Sequence, residues 1–66
     1  NSLYEKAINH LRKAGDTPEA NNNLGIAYSQ MGDYKKARGY FEKSQQQGCK
    51  AAAQNLAELD KLEKSL

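Results

Sequence analysis

Apolar residues near the start of the chain fall at Tyr4, Ala7, Ile8, Leu11 and Ala14, the alternating three-and-four spacing that draws one broad stripe along a helix. Ser2 followed by Glu5 has the form of a capping box and places the helix start at Ser2. Gly15 marks the end, because glycine readily enters the left-handed conformation that closes a helix. Asp16-Thr17-Pro18-Glu19 opens a second helix, with Thr17 or Asp16 as the cap, Pro18 at the first helical position and Glu19 near the positive end of the dipole. Gly32 closes it after Met31, and Asp33 caps a third helix whose Tyr34, Ala37, Phe41 and Ser44 share a face. Gly48 ends that helix. A fourth carries Ala52, Leu56, Leu59, Leu62 and Leu66 inward and Glu58, Lys61 and Lys64 outward. The expected elements are helices over 2–14, 18–31, 34–47 and 50–65 of a single domain, 1–66. No segment alternates apolar and polar positions, so β structure is not expected, and the short connections make consecutive helices antiparallel neighbours.

Two packing phrases recur along the chain. Tyr4, Lys6, Ala7, Leu11, Lys13 and Ala14 return thirty residues later as Tyr34, Lys36, Ala37, Phe41, Lys43 and Ser44. Ala20, Asn23, Leu24 and Gly25 return at a spacing of thirty-two as Ala52, Asn55, Leu56 and Ala57. The phrases alternate, as they do in a solenoid whose units bury their apolar faces only against their neighbours. Gly39 interrupts the third helix at a cost of about 1 kcal/mol relative to alanine, for which close approach of a neighbour is the expected reason.

The run Asn22-Asn23-Leu24-Gly25-Ile26-Ala27-Tyr28, followed by Gly32-Asp33-Tyr34, Ala37 and Phe41, closely resembles the tetratricopeptide repeat. That family places a leucine, a glycine and a tyrosine on its first helix, then a glycine-containing turn, then an alanine and an aromatic on its second. Two positions depart from it: Asn21 stands where the family often has tryptophan, and Cys49 stands near its usual proline. Sel1-like repeats are a close competitor, through Lys36-Ala37, Tyr40-Phe41-Glu42-Lys43, Gln47-Gly48 and Ala52. The resemblance implies an all-α fold: antiparallel helical hairpins stacked as a short right-handed α-solenoid of four helices. It covers about one full repeat, the second and third helices. Within it Gly25 lets the paired helices approach, Ala57 does the same in the second copy, and Tyr28 and Phe41 fill the remaining gaps.

Helix 1 lacks the partner that should precede it, and Leu3 and Ile8 widen its stripe, consistent with a neighbour cut away or supplied by another copy of the chain. The chain begins with Asn and has no basic, apolar leader, so its N-terminus reads as a cut or processed end. In helix 4, Asp60 replaces Tyr28 and Glu63 replaces Met31. A polar outer face suits a terminal capping helix, and the alternative is a short coiled seam through Leu59, Leu62 and Leu66.

Composition narrows the function. A 66-residue chain buries only about 60% of its unfolded surface, which makes its stability marginal. Ten basic and eight acidic residues leave a net charge of +2, too even to attract nucleic acid or a membrane surface at long range. No apolar run approaches the roughly 20 residues that span a bilayer, and the mean hydropathy is −0.96. One cysteine, Cys49, excludes an internal disulfide, and with one histidine, His10, no Cys/His metal cluster forms. His10 occupies the place Tyr40 takes in the later copy, so packing or surface is its expected role. No paired carboxylates, activated nucleophile or phosphate loop appears, so neither catalysis nor a cofactor is expected.

The expected function is that of a non-catalytic interaction module for a protein or peptide. At roughly 100° per residue, Glu19, Asn22, Asn23, Ile26 and Gln30 cluster about 125° from the centre of the buried stripe of helix 2. In a tetratricopeptide stack that side lines the concave groove, and the corresponding positions of helix 4 are Ala51, Gln54, Asn55, Glu58 and Leu62. Side-chain amides both donate and accept, so Asn23 and Asn55 suit the main chain of an extended peptide, the alternative being a solvated face. Ile26 either meets a ligand side chain or packs against helix 4. A carboxylate clamp, which some members of the family form with lysine, arginine and asparagine, is not expected, because the groove positions include Glu19 and Glu58 and no arginine. An electropositive or neutral ligand fits better. Two other readings compete: an RNA-binding helical repeat of the pentatricopeptide kind, opposed by Gly25, Tyr28 and the small net charge, and a self-associating piece that pairs through helix 1 or helix 4.

Overall fold

In the computed structural model of the chain, which describes residues 2–65, four helices follow one another: α1 (Ser2–Lys13), α2 (Pro18–Gln30), α3 (Tyr34–Gln46) and α4 (Lys50–Lys64). No strand occurs among the described residues. Gly15, Gly32 and Gly48 sit at φ +95°, +87° and +98° and turn the chain after α1, α2 and α3. Thr17 is the cap of α2, its Oγ1 accepting from the Ala20 amide at 3.1 Å. The other candidate, Asp16, is occupied elsewhere. Asp33 caps α3 by accepting from the Lys36 amide at 3.3 Å, whereas Cys49 precedes α4 with no side-chain cap. Ser2 is the first helical residue of α1 rather than its cap, and Leu66, expected on the inward side of helix 4, lies outside the described residues.

Each helix packs on the next in the chain, and α2 also reaches α4. With such short turns this arrangement is a row of antiparallel hairpins, a slab of 32 × 29 × 14 Å. Its core is Ile8, Leu24, Ala27, Tyr28, Ala37, Phe41 and Leu59, with Leu11, Tyr34, Tyr40 and Leu56 packed at the edge. Burying a leucine- or phenylalanine-sized side chain is worth about 1.5–3 kcal/mol, so this cluster supplies much of the cohesion. Gly25 and Phe41 set the closest approach: a Cβ at Gly25 would lie 2.5 Å from both Cδ1 and Cε1 of the Phe41 ring. The Tyr28 ring stacks on Tyr40 with centroids 5.4 Å apart.

Buried polar groups are paired. Ser44, fully buried, donates its hydroxyl to the Pro18 carbonyl at 2.7 Å. Asn21 is also buried, and its Nδ2 donates to Asp16 Oδ1 at 2.7 Å and Gln47 Oε1 at 2.8 Å. Gln47 Nε2 in turn donates to Asp16 Oδ1 at 3.1 Å, and Lys43 Nζ stands 3.3 Å from the same oxygen. Where the tetratricopeptide pattern often has tryptophan, this chain has an amide that ties the α1–α2 turn to the end of α3.

Three expectations from the residues alone are corrected. Gly39 has no close neighbour: a Cβ there would meet nothing within 4 Å. Leu62, expected inward, is 44% exposed. Asp60 and Glu63, exposed as expected, also accept from the Arg38 guanidinium of α3, Asp60 at 2.6 Å. By the internal offsets, Arg38 and Asp60 are the counterparts of Ile8 and Tyr28, so an ion pair stands where the first unit has core apolar residues. Finally, Ala57 does not repeat the role of Gly25, because it is exposed while Gly25 is buried.

Candidate partner-binding groove

The two helices of the first kind, α2 and α4, lie side by side at one surface and leave a cavity of about 200 Å³ lined by Ile26, Ser29, Gln30, Phe41, Asn55, Glu58, Leu59 and Leu62. Phe41 and Leu59 are buried, at 2% and 1% exposure, and form its floor. Ile26 and Leu62 are its exposed apolar walls, and Gln30, Asn55 and Glu58 provide its polar rim. Ile26 is 36% exposed and lines the cavity together with Leu59 and Leu62 of α4.

The structure brings Ile26, Gln30, Asn55 and Glu58 to one cavity and leaves Glu19, Asn22, Asn23 and Gln54 off its lining. Asn22 is nevertheless linked to the site: Asn55 Nδ2 donates to Asn22 Oδ1 at 2.8 Å, a bridge between α2 and α4. The bridge occupies one N–H of Asn55 and one acceptor of Asn22, leaving the Asn55 carbonyl oxygen and the Asn22 amide nitrogen for a ligand. Asn23, Glu19 and Gln54 are exposed beside it. Leu62, which the residue pattern placed both on the inward stripe and among the groove positions, lines the groove. Its signal was its equivalence to Gln30, which already pointed to the groove side.

On the opposite edge, Arg12, Lys36, Gly39, Tyr40 and Lys43 line a second cavity of about 290 Å³. Its cations are partly balanced: Lys36 lies 3.9 Å from Asp33 and 5.5 Å from the centre of the Tyr28 ring, Lys43 pairs with Asp16, and Arg12 donates to the Tyr28 hydroxyl at 3.0 Å. Hydrogen bonds from Asn21 and Lys43 hold the Asp16 carboxyl below its ordinary value of 3.8. Cys49 is a free, half-buried thiol. Among the described residues no group of three or more His, Cys, Asp or Glu side chains could hold a metal ion. No described helix is long and apolar enough to cross a membrane.

Paired antiparallel helices with an amide-rimmed apolar hollow between alternate members define the class: a short helical repeat that presents a surface. The tetratricopeptide-repeat family model matches residues 18–47, the segment that holds α2, α3 and the turn between them. The chain carries a tetratricopeptide-type repeat, a non-catalytic element that generally mediates protein–protein interaction. No curated protein and no solved structure matches the chain.

Proposed function

We propose that the chain is a protein-interaction module that holds an extended segment of a protein partner in the hollow between α2 and α4. An apolar side chain of the ligand enters between Ile26 and Leu62 onto Phe41 and Leu59, and the ligand's main chain meets the amides of Asn22, Asn23, Gln30 and Asn55. Gln54 extends the polar rim. Glu58, together with Glu19 further along α2, favours a neutral or basic residue next to the apolar anchor. The observation that carries this reading is the exposure of Ile26 and Leu62, 36% and 44%, on the two walls of one cavity, since an apolar hollow with a few convergent polar groups is the usual form of a binding site.

The test is fluorescence anisotropy with labelled extended peptides that carry a central leucine flanked by lysines, against a control set flanked by glutamates. Binding is expected for the first set. Ile26→Asp, and separately the pair Asn23→Ala with Asn55→Ala, should each weaken it by roughly tenfold or more, as loss of an anchor does, with unchanged helicity. Equal affinity for both peptide sets, or full affinity in both variants, refutes the reading.

A further inference from the structure

The contact between α2 and α3 is a template for a second contact that no pair of helices within one chain makes. An offset of thirty relates α1 to α3, and one of thirty-two relates α2 to α4. Every contact of α2 with α3 therefore has its counterpart between α4 and α1, which do not touch within the chain. The faces that would make it are uncovered. Ala7 is exposed where its counterpart Ala37 is fully buried, and Ala57 is exposed where its counterpart Gly25 is buried.

The residues on these two faces differ from the template in matched pairs. The ring of Phe41 lies where a Cβ on Gly25 would come within 2.5 Å. The counterparts are Leu11 and Ala57: a methyl is added on one side and the ring becomes a smaller branched chain on the other, which preserves volume and removes the clash. Tyr28, stacked on Tyr40 beneath the Lys36 ammonium, has Asp60 as its counterpart, while Tyr40 and Lys36 have His10 and Lys6. A neutral stack thus becomes an acid opposite two basic side chains. Arg38 balances one of the two acids it contacts, so Asp60 and Glu63 together retain a negative charge, and the Asp60 side chain is still 51% exposed. Lys6 and His10 are exposed on α1. Ser44, whose hydroxyl needs the Pro18 carbonyl, has Ala14 as its counterpart, so no polar group would be stranded.

We propose that the chain associates head to tail with a second copy, α4 of one packing on α1 of the next as α2 packs on α3. Leu11 of one copy sits over Ala57 of the other, with Lys6 and His10 opposite Asp60. Steric and charge complementarity are both built into one sequence, which is why the occupant is another copy. The two faces differ, so the contact is heterologous and lengthens the stack instead of closing a two-fold dimer.

Sedimentation equilibrium of the chain from micromolar to millimolar concentration tests this, with Ala57→Trp to obstruct the α4 face and Ala7→Trp to obstruct the α1 face. Both alanines are exposed, so circular dichroism should match the parent. The parent should gain mass with concentration, and each variant alone should remain a monomer. An equal mixture of the two should sediment at twice the chain mass and no more, because one intact pair of faces is left. Lys6→Glu, which faces neither the core nor the groove, should weaken association roughly tenfold by placing like charges together. A parent that stays monomeric at millimolar concentration, an Ala57→Trp variant that still self-associates, or a mixture that stays monomeric overturns the proposal.

Discussion

At the scale of single residues, the position with least freedom is Gly25. Its hydrogen faces the Phe41 ring, and even one added carbon would lie 2.5 Å from two ring atoms. Gly25→Leu should lower stability by about 1–3 kcal/mol through overpacking, visible as a lower urea midpoint, and Phe41→Ala in the same chain should return part of the loss. A variant that unfolds at the parent's midpoint would show that the ring is not held where it is described. This contact was legible in the chain, since glycine and an aromatic at family spacing leave one physical reason for the glycine. Asn21 was not legible. Its partners Asp16 and Gln47 stand five and twenty-six positions away, and no local pattern announces that an amide will be buried among them.

At the scale of the helices, punctuation is local and so is its chemistry. Proline, the capping oxygens of Thr17 and Asp33 and three glycines at positive φ mark where helices start and stop. Which neighbour each face meets is a different matter, and Gly39 shows the limit. A mid-helix glycine suggested a close approach, but the space beside it is open. Gly39→Ala should therefore stabilise α3 by about 0.5–1 kcal/mol, the helical advantage of alanine with no steric offset, as a higher melting temperature. A lower one would mean that something occupies that space in solution. The paired change from Ile8 and Tyr28 to Arg38 and Asp60 is of the same kind: the sequence shows two separate substitutions, and packing α3 on α4 makes them one ion pair.

At the scale of the whole molecule, the Asp16 cluster is the link that ties distant parts together, joining the α1–α2 turn to Lys43 and Gln47 of the α3 end. Asn21 and then Lys43 depress the Asp16 carboxyl below 3.8. A depressed carboxylate stabilises the fold fully above its unfolded value and loses that contribution as the pH falls through its folded value. Stability should thus decline below about pH 4. Asp16→Asn should melt lower than the parent at pH 7 and lose less on acidification. Parallel melting curves for the two proteins across that range would show that the carboxylate contributes nothing.

The residues by themselves determined the number of helices, their limits to within a residue or two, the tetratricopeptide-type pairing of α2 with α3, and the amide-rich side of α2. These follow from periodicity, capping and turn chemistry, which act over a few positions. Tertiary structure alone decided that Asn55 bridges to Asn22, that Asp60 and Glu63 turn to Arg38, and that Ala7 and Ala57 stay uncovered. Each of these depends on the distance and angle between helices far apart in the chain, and a helical period specifies only the direction a side chain takes from its own axis.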